Sequence, residues 1–265
     1  MAWVRRHLLF LAAVLVLAYM LVPNVVVAVF SFNDPVGRYN YTWRAFSLDA
    51  WANPCGAAGI CQSLGLSLRV GLVASLTATV LGTMVAFALG RHRFRGRAGT
   101  NLLIFMPMAT PEVVMGSSLL TLFLMMGLPA GTLAITIAHI MFCISFVVVA
   151  VKARVATLDP RLEEAAADLG ATPLQTFLRV TFPLAFPGIL AGALLAFSLS
   201  FDDYIITNFT ASPSSVTFPM YVWGAAQRGA PVQVNVIGTL MFLVALLVVV
   251  AGQALAARRE RSRAG

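Results

Sequence analysis

Apolar residues along this chain come in long runs, and polar residues gather in the short stretches between them. A helix needs about 20 mostly apolar residues to cross a hydrocarbon core of roughly 30 Å. Six runs meet that length: residues 8–30, 64–89, 102–126, 132–151, 187–209 and 234–257. The first follows Arg5 and Arg6, as a signal peptide would. It exceeds a signal core of about 7–15 residues, and no convincing small-residue cleavage site follows it. The pattern therefore predicts a retained first helix and an all-α membrane protein of six transmembrane helices, with residues 1–265 as one domain.

Composition closes off the alternatives. Hydrophobic residues make up 60% of the 265 and charged residues 11%, against about 45–50% and a quarter in soluble domains. One soluble core of this size cannot hide so much apolar surface, which excludes a soluble enzyme. Disordered chains are polar and charge-rich, which excludes disorder.

The few charges then orient the helices. Fourteen of the 18 basic residues fall at the two ends and in two connections. They are Arg5 and Arg6; Arg91, Arg93, Arg95 and Arg97; Lys152, Arg154, Arg161 and Arg179; and Arg258, Arg259, Arg261 and Arg263. Positive charge stays on the cytoplasmic side, so both termini and these connections are expected there. The net charge of +8 thus reflects topology and contact with anionic lipid, and gives no ground for nucleic-acid binding. Cys55 and Cys61 fall in an extracytoplasmic loop, where a disulfide and two free thiols are both open readings. Cys143, within a run, reads as a small core residue.

Catalytic chemistry is hard to build from this chain. Its one lysine, Lys152, has no glycine-rich loop before it, so no phosphate-binding loop for ATP hydrolysis exists here. His7, His92 and His139 lack metal-ligand spacing, and no nucleophile–base arrangement follows from spacing. A non-catalytic protein is expected, with no metal and no cofactor of its own, driven by an ion gradient or by a partner.

The most patterned polar segment is the connection 153–183. Asp159-Pro160 reads as a helix cap followed by a first-turn proline. Glu163 and Glu164 then lie in the first turn, where the helix dipole favours them. Leu162, Ala165, Ala166 and Leu169 form one apolar stripe, and Gly170 supplies a left-handed stop. Thr172-Pro173-Leu174-Gln175 reads as the capping box of a second short helix, with Leu174, Phe177 and Leu178 on its apolar face. Such helices could lie on lipid. The small alanines and the acids Glu163, Glu164 and Asp168 favour a protein partner instead, because acids sit badly on an anionic leaflet.

Glu164-Ala165-Ala166, then Gly170 after three residues, then Val180-Thr181-Phe182-Pro183 after nine, resembles the EAA loop of ABC importer permeases. Val180 and Phe182 stand where that family carries Ile and Leu. The resemblance extends over nearly the whole chain. Ser31-Phe32-Asn33, Arg91-His92-Arg93-Phe94-Arg95-Gly96, Leu199-Ser200-Phe201-Asp202-Asp203 and Val234-Asn235 are similar to permeases of spermidine/putrescine importers. What the resemblance implies is a type I ABC importer permease fold with cytoplasmic coupling helices, in a bacterial inner membrane. Glu163, Glu164, Ala165, Ala166, Leu169, Gly170, Leu174, Phe177 and Pro183 would then couple the chain to an ATPase. The implied partners are a second permease, two cytoplasmic ATPase subunits holding ATP and magnesium, and an extracytoplasmic substrate-binding protein.

The substrate side rests on acids inside the runs. A charge deep in a bilayer costs at least about 2.5–3.5 kcal/mol, so it usually lines a cavity or pathway. Asp202 and Asp203, expected inside the fifth helix, and Glu112, after Pro107 and Pro111 in the third, qualify. Tyr204 beside the pair could give a multiply cationic substrate a cation–π face. The alternative is that an aspartate caps a helix end or pairs with Arg69. Adjacent residues point about 100° apart on a helix, so the two aspartates are not expected to share one cavity equally. Other solutes of ABC permeases (ferric iron, sulfate-type anions, sugars) are the runner-up, and the acids argue against the anions. A proton- or sodium-coupled secondary transporter is the alternative from another class. It would call for an internal repeat, which the hydropathy pattern does not show, and for no docking loop.

Overall fold

The computed structural model describes the backbone of residues 2–264 and the side chains of residues 6–254. Arg5, Arg258, Arg259, Arg261 and Arg263, used above for orientation, lie outside the described side chains. Their neighbours fold into helices α1 (Ala2–Phe30), α2 (Asp49–Ala52), α3 (Ile60–Arg91), α4 (Arg97–Ala109), α5 (Glu112–Met125) and α6 (Thr132–Ala156). After them come α7 (Arg161–Asp168), α8 (Pro173–Thr176), a π-helical segment (Phe177–Thr181), α9 (Phe182–Asp202), α10 (Ile205–Thr210), α11 (Phe218–Arg228) and α12 (Val232–Ala264). Among the described residues, five unbroken stretches are long and apolar enough to span a membrane: Arg6–Phe30, Ile60–Arg91, Thr132–Ala156, Pro173–Asp202 and Val232–Ala254.

Two of the expected spans differ from a plain helix. The third is broken into α4 and α5, bent by 108°. Pro111 has no N–H to give and pushes the preceding residue out of the helical region; Thr110 is accordingly extended, with ψ of 130°. The fifth starts earlier and stops sooner than expected. The second short helix predicted in the connection is the opening of one 30-residue helix, Pro173–Asp202. Thr176, Thr181 and Phe182 all keep right-handed helical dihedrals, so no boundary forms at the prolines. The wider π turn lies just before Pro183, whose ring would crowd the carbonyl four residues back in a regular helix. At the other end α9 terminates at Asp202, because Asp203 is extended with ψ of 125°.

The chain forms two compact units, one from Gln62 to Met220 and one joining the segments on either side of it. In the first, α6 is the central helix and is the most buried of the spans. It packs tightly because its neighbours present small residues, as membrane helices do where backbones approach. A Cβ on Gly82 of α3 would meet Val147 at 2.8 Å, and one on Gly188 of α9 would clash with the Arg154 side chain. Cys143 is buried there and donates to the Ala196 carbonyl (3.4 Å).

The second unit packs α12 against α1 and α2. Its loop is organised by the buried Asn33. The Asn33 amide donates to Asn40 Oδ1 (2.6 Å) and the Thr42 carbonyl (2.8 Å), and its oxygen accepts from the Arg44 N–H (2.8 Å). Phe32 stacks between Phe46 and Trp51. Cys55 and Cys61 are joined as a disulfide, which resolves the open reading of that pair.

Candidate functional site

Two places concentrate the predicted site residues, and both lie in the unit Gln62–Met220. The first is the connection after α6. Asp159 Oδ1 accepts from the Arg161 N–H (3.0 Å) and opens α7. The helix closes at Gly170, whose φ of +80° is the left-handed turn that glycine adopts freely. The capping box is complete: Gln175 Oε1 accepts from the Thr172 N–H (2.9 Å), and Thr172 Oγ1 accepts from the Gln175 N–H (3.4 Å).

This connection has two faces. Leu162, Leu169, Leu174 and Leu178 are exposed, Leu169 by 90%. Glu164, Ala165 and Pro183 are exposed with them, while Ala166 is half-buried. Glu163 and Phe177, which the sequence reading grouped with that outward set, turn the other way. Glu163 pairs with Arg91 at 3.0 Å and accepts a hydrogen bond from Thr181. Phe177 packs on Phe87 and Phe182. The cause is spacing: Glu163 and Glu164 point about 100° apart around α7, so only one of them can face the free side.

The second place is the break after α9. Asp202 is the last residue of α9, exposed, with no ion pair among the described residues. Its charge sits at a helix C-terminus, where the dipole disfavours an anion. Asp203 departs from the pathway role expected of it. Its side chain is only 5% exposed and is spent inside the protein. It caps α10: Oδ1 accepts from the Ile206 N–H (3.3 Å) and Oδ2 from the Thr207 N–H (2.7 Å) and hydroxyl (2.7 Å). Helix capping, the alternative reading of the pair, thus holds for Asp203, and the partner is His139 in place of Arg69. His139 Nε2 lies 2.9 Å from Thr207 Oγ1 and 3.3 Å from Asp203 Oδ2, and Nδ1 lies 2.7 Å from Ser200 Oγ. The single hydroxyl hydrogen of Thr207 goes to Asp203, so its oxygen accepts from His139 Nε2–H. Four buried side chains on α6, α9, the break and α10 thereby satisfy one another, as polar groups away from water must.

Glu112 is exposed at the first turn of α5, directly after the other break. The two broken segments are neighbours, because α10 packs on α5: a Cβ on Gly116 would meet Phe209 at 2.6 Å. Tyr204 is half-buried immediately after Asp203. Sequence reasoning missed His139, Thr207 and Arg91 as members of these sites. An ionisable side chain inside an apolar run was the available signal for His139; nothing in the spacing singled out Arg91 from its neighbouring arginines.

Comparison with known proteins gives concordant results. The profile of the family described as binding-protein-dependent transport system inner membrane component matches residues 78–262. The spermidine/putrescine transport system permease protein PotC of Escherichia coli (strain K12) is 33% identical over 248 residues, 94% of this chain and 93% of that one. The putrescine transport system permease protein PotI of the same organism is 36% identical over 252 residues, 92% and 89% of the two chains. Among solved structures, a bacterial ABC transporter involved in import of the acidic polysaccharide alginate superposes with a TM-score of 0.67 at 18% identity, covering 94% and 95%. The MetNI methionine ABC transporter in an inward-facing conformation superposes with a TM-score of 0.59 at 14% identity, covering 74% and 94%.

Proposed function

This chain belongs to the family of binding-protein-dependent transport system inner membrane components, and we propose that its own solute is a polyamine such as spermidine or putrescine. It is a multi-pass permease subunit with the type I ABC importer fold, and it is not itself an enzyme. The polyamine reading rests on the solutes named for its relatives and on one feature of this molecule. Asp202 is an exposed carboxylate with no ion pair among the described residues, at a helix end where a span breaks off.

The geometry accounts for cation transfer in physical terms. Irregular backbone at membrane depth is tolerated where it lines a cavity, and helix breaks beside the solute are a recurrent way to build such a lining. Asp202 and Glu112, each next to a break, would meet the ammonium groups of the solute in turn. Tyr204 would offer a ring face or a hydroxyl to the same groups. Asp203 does not line the route; it holds the break so that Asp202 is presented.

In the same reading, both termini and the connections after α3 and α6 face the cytoplasm, a reading that the distribution of basic residues supports. The exposed leucines and Glu164 of α7 and α8 dock an ATPase subunit. The functional assembly is this chain with a second permease, two ATPase subunits carrying ATP and magnesium, and a binding protein on the opposite side.

The test is reconstitution of the assembled importer with its ATPase and binding protein in vesicles. Spermidine or putrescine, delivered by the binding protein, is expected to stimulate ATP hydrolysis and to accumulate inside. Stimulation by an anion or a neutral sugar with no response to either polyamine would overturn the solute assignment and leave the family membership standing.

A further inference from the structure

Helix α7 buries none of its own residues, so no hydrophobic core fixes its position. What holds it is the inward carboxylate of Glu163. Glu163 Oε1 forms an ion pair with Arg91 Nη2 at 3.0 Å and accepts a hydrogen bond from Thr181 Oγ1 at 3.1 Å. Arg91 is the last residue of α3, and Thr181 is the last of the π segment that runs directly into α9. One carboxylate oxygen therefore joins three elements, two of which are membrane spans.

The pair is partly withdrawn from water, with the Arg91 side chain 18% and the Glu163 side chain 33% exposed. It is screened less than a surface ion pair, whose contribution is commonly small. One turn back along α3, Phe87 meets Phe177 edge-on with ring centroids 5.3 Å apart. The end of α3 thus touches the connection at two heights. A cavity of about 550 Å³ lies beside these contacts, lined by Phe87, Arg91, Glu163, Phe177 and Thr181 among others. The space next to the tie is not packed solid, which leaves the ion pair and the Thr181 hydrogen bond as specific links between α7 and the spans.

We propose that the Arg91–Glu163–Thr181 link is the transmission element of the permease, and that Glu163 is a positioning residue. It makes α7 move as one body with α3 and α9 when an ATPase subunit displaces the connection. Glu164, one residue on, faces outward to the ATPase; Glu163 faces inward to the spans. The proposal rests on the docking role given to this connection above.

The experiment uses the reconstituted importer with its ATPase, second permease and binding protein, and reads ATPase retention on co-purification, ATP hydrolysis and solute uptake. Glu163→Gln and Arg91→Gln are expected to retain the ATPase. Solute moved per ATP hydrolysed should fall about 5–10-fold, the lower end of what one coupling free energy spans. Thr181→Val, which removes one neutral hydrogen bond, should lower that ratio about twofold. The double reversal Arg91→Glu with Glu163→Arg should recover most of the loss seen in either single reversal.

Wild-type stoichiometry in both glutamine variants would overturn the proposal. So would release of the ATPase by Glu163→Gln, which would make Glu163 a docking contact. A double reversal no better than its parents, with all chains present in the membrane, would overturn it as well. Should a reversal variant fail to accumulate, the glutamine and valine variants decide. Failure of the wild-type chain to bind any ATPase defeats the docking reading itself. A coupled wild type beside unaffected variants defeats only the transmission link.

Discussion

At residues 163 and 164, and again at 202 and 203, two acids stand side by side, and in each pair one turns inward and the other outward. The inward members differ in what surrounds them. Glu163 keeps a third of its side chain exposed and answers one guanidinium and one hydroxyl. Asp203 keeps 5% and answers His139, the Thr207 hydroxyl and two backbone N–H groups. The outward members differ more. Glu164 stands on a short helix outside the spans, near the N-terminus that favours its charge, and its exposure costs nothing in water. Asp202 ends an apolar helix at the dipole's unfavourable end, and an unpaired charge in a membrane costs at least about 2.5–3.5 kcal/mol. The comparison shows how to weigh an exposed acid. On the outer helix, exposure becomes informative only beside the free leucines around it. At the break, exposure of a charge is expensive wherever lipid surrounds it, and this cost is the physical ground for the pathway role proposed for Asp202.

The deepest member of the comparison is the one whose loss is largest. Asp203→Ala leaves the Thr207 hydroxyl and two N–H groups of α10 without their acceptor and takes the carboxylate away from His139. It is expected to lower the stability of the folded chain by about 3 kcal/mol, as removal of one member of a buried polar pair does. Thermal unfolding of the detergent-solubilised chain checks this. Stability within about 0.5 kcal/mol of wild type would mean that the network does not hold the break. Asp202→Asn should behave oppositely. The chain should assemble normally, while polyamine uptake falls about tenfold, the size of one charge-assisted contact. Equal loss of stability in the two variants would erase the distinction between an inward and an outward aspartate.

Much of this contrast could be read from residue order, and the part that could not has a physical cause. Caps and stops are local: Asp159, Gly170 and the Thr172–Gln175 box act on neighbours within four residues, so their roles follow from spacing alone. The break at Pro111 is local in the same sense, since a proline limits its own φ and the residue before it. The inward turn of Glu163 and Asp203 is not local. It depends on Arg91, 72 positions earlier, and on His139, 64 positions earlier, and periodicity carries nothing about such distances. The long helix Pro173–Asp202 was hidden for another reason. Its three prolines and its capping box look like new starts, yet the chain passes Pro183, just after the π segment, and Pro187 without a boundary.

On the outer helix, the outward member should matter for partnership and little for folding. Glu164→Ala is expected to leave thermal stability unchanged within about 0.5 kcal/mol. Retention of the ATPase on co-purification should weaken about fivefold, which is the upper end for one exposed charged contact. A loss of stability with full retention would exchange the roles assigned to Glu164 and Glu163.

The smallest expected effect comes from Thr172→Ala. Loss of the capping hydroxyl costs about 1 kcal/mol where a helix stands alone. Here the capped turn opens a 30-residue helix, so the cost falls on fraying of α8 and does not spread into the span. Amide exchange at Leu174 and Gln175 should quicken up to about fivefold, the equilibrium equivalent of that energy, with little change at Phe182 and beyond. Transport should fall less than twofold, because Leu174 and Leu178 remain on the exposed side whether or not the first turn frays. A much larger transport loss without added exchange would mean that the Thr172 hydroxyl itself touches the partner. The boundary of the docking face would then move from the leucines to the cap.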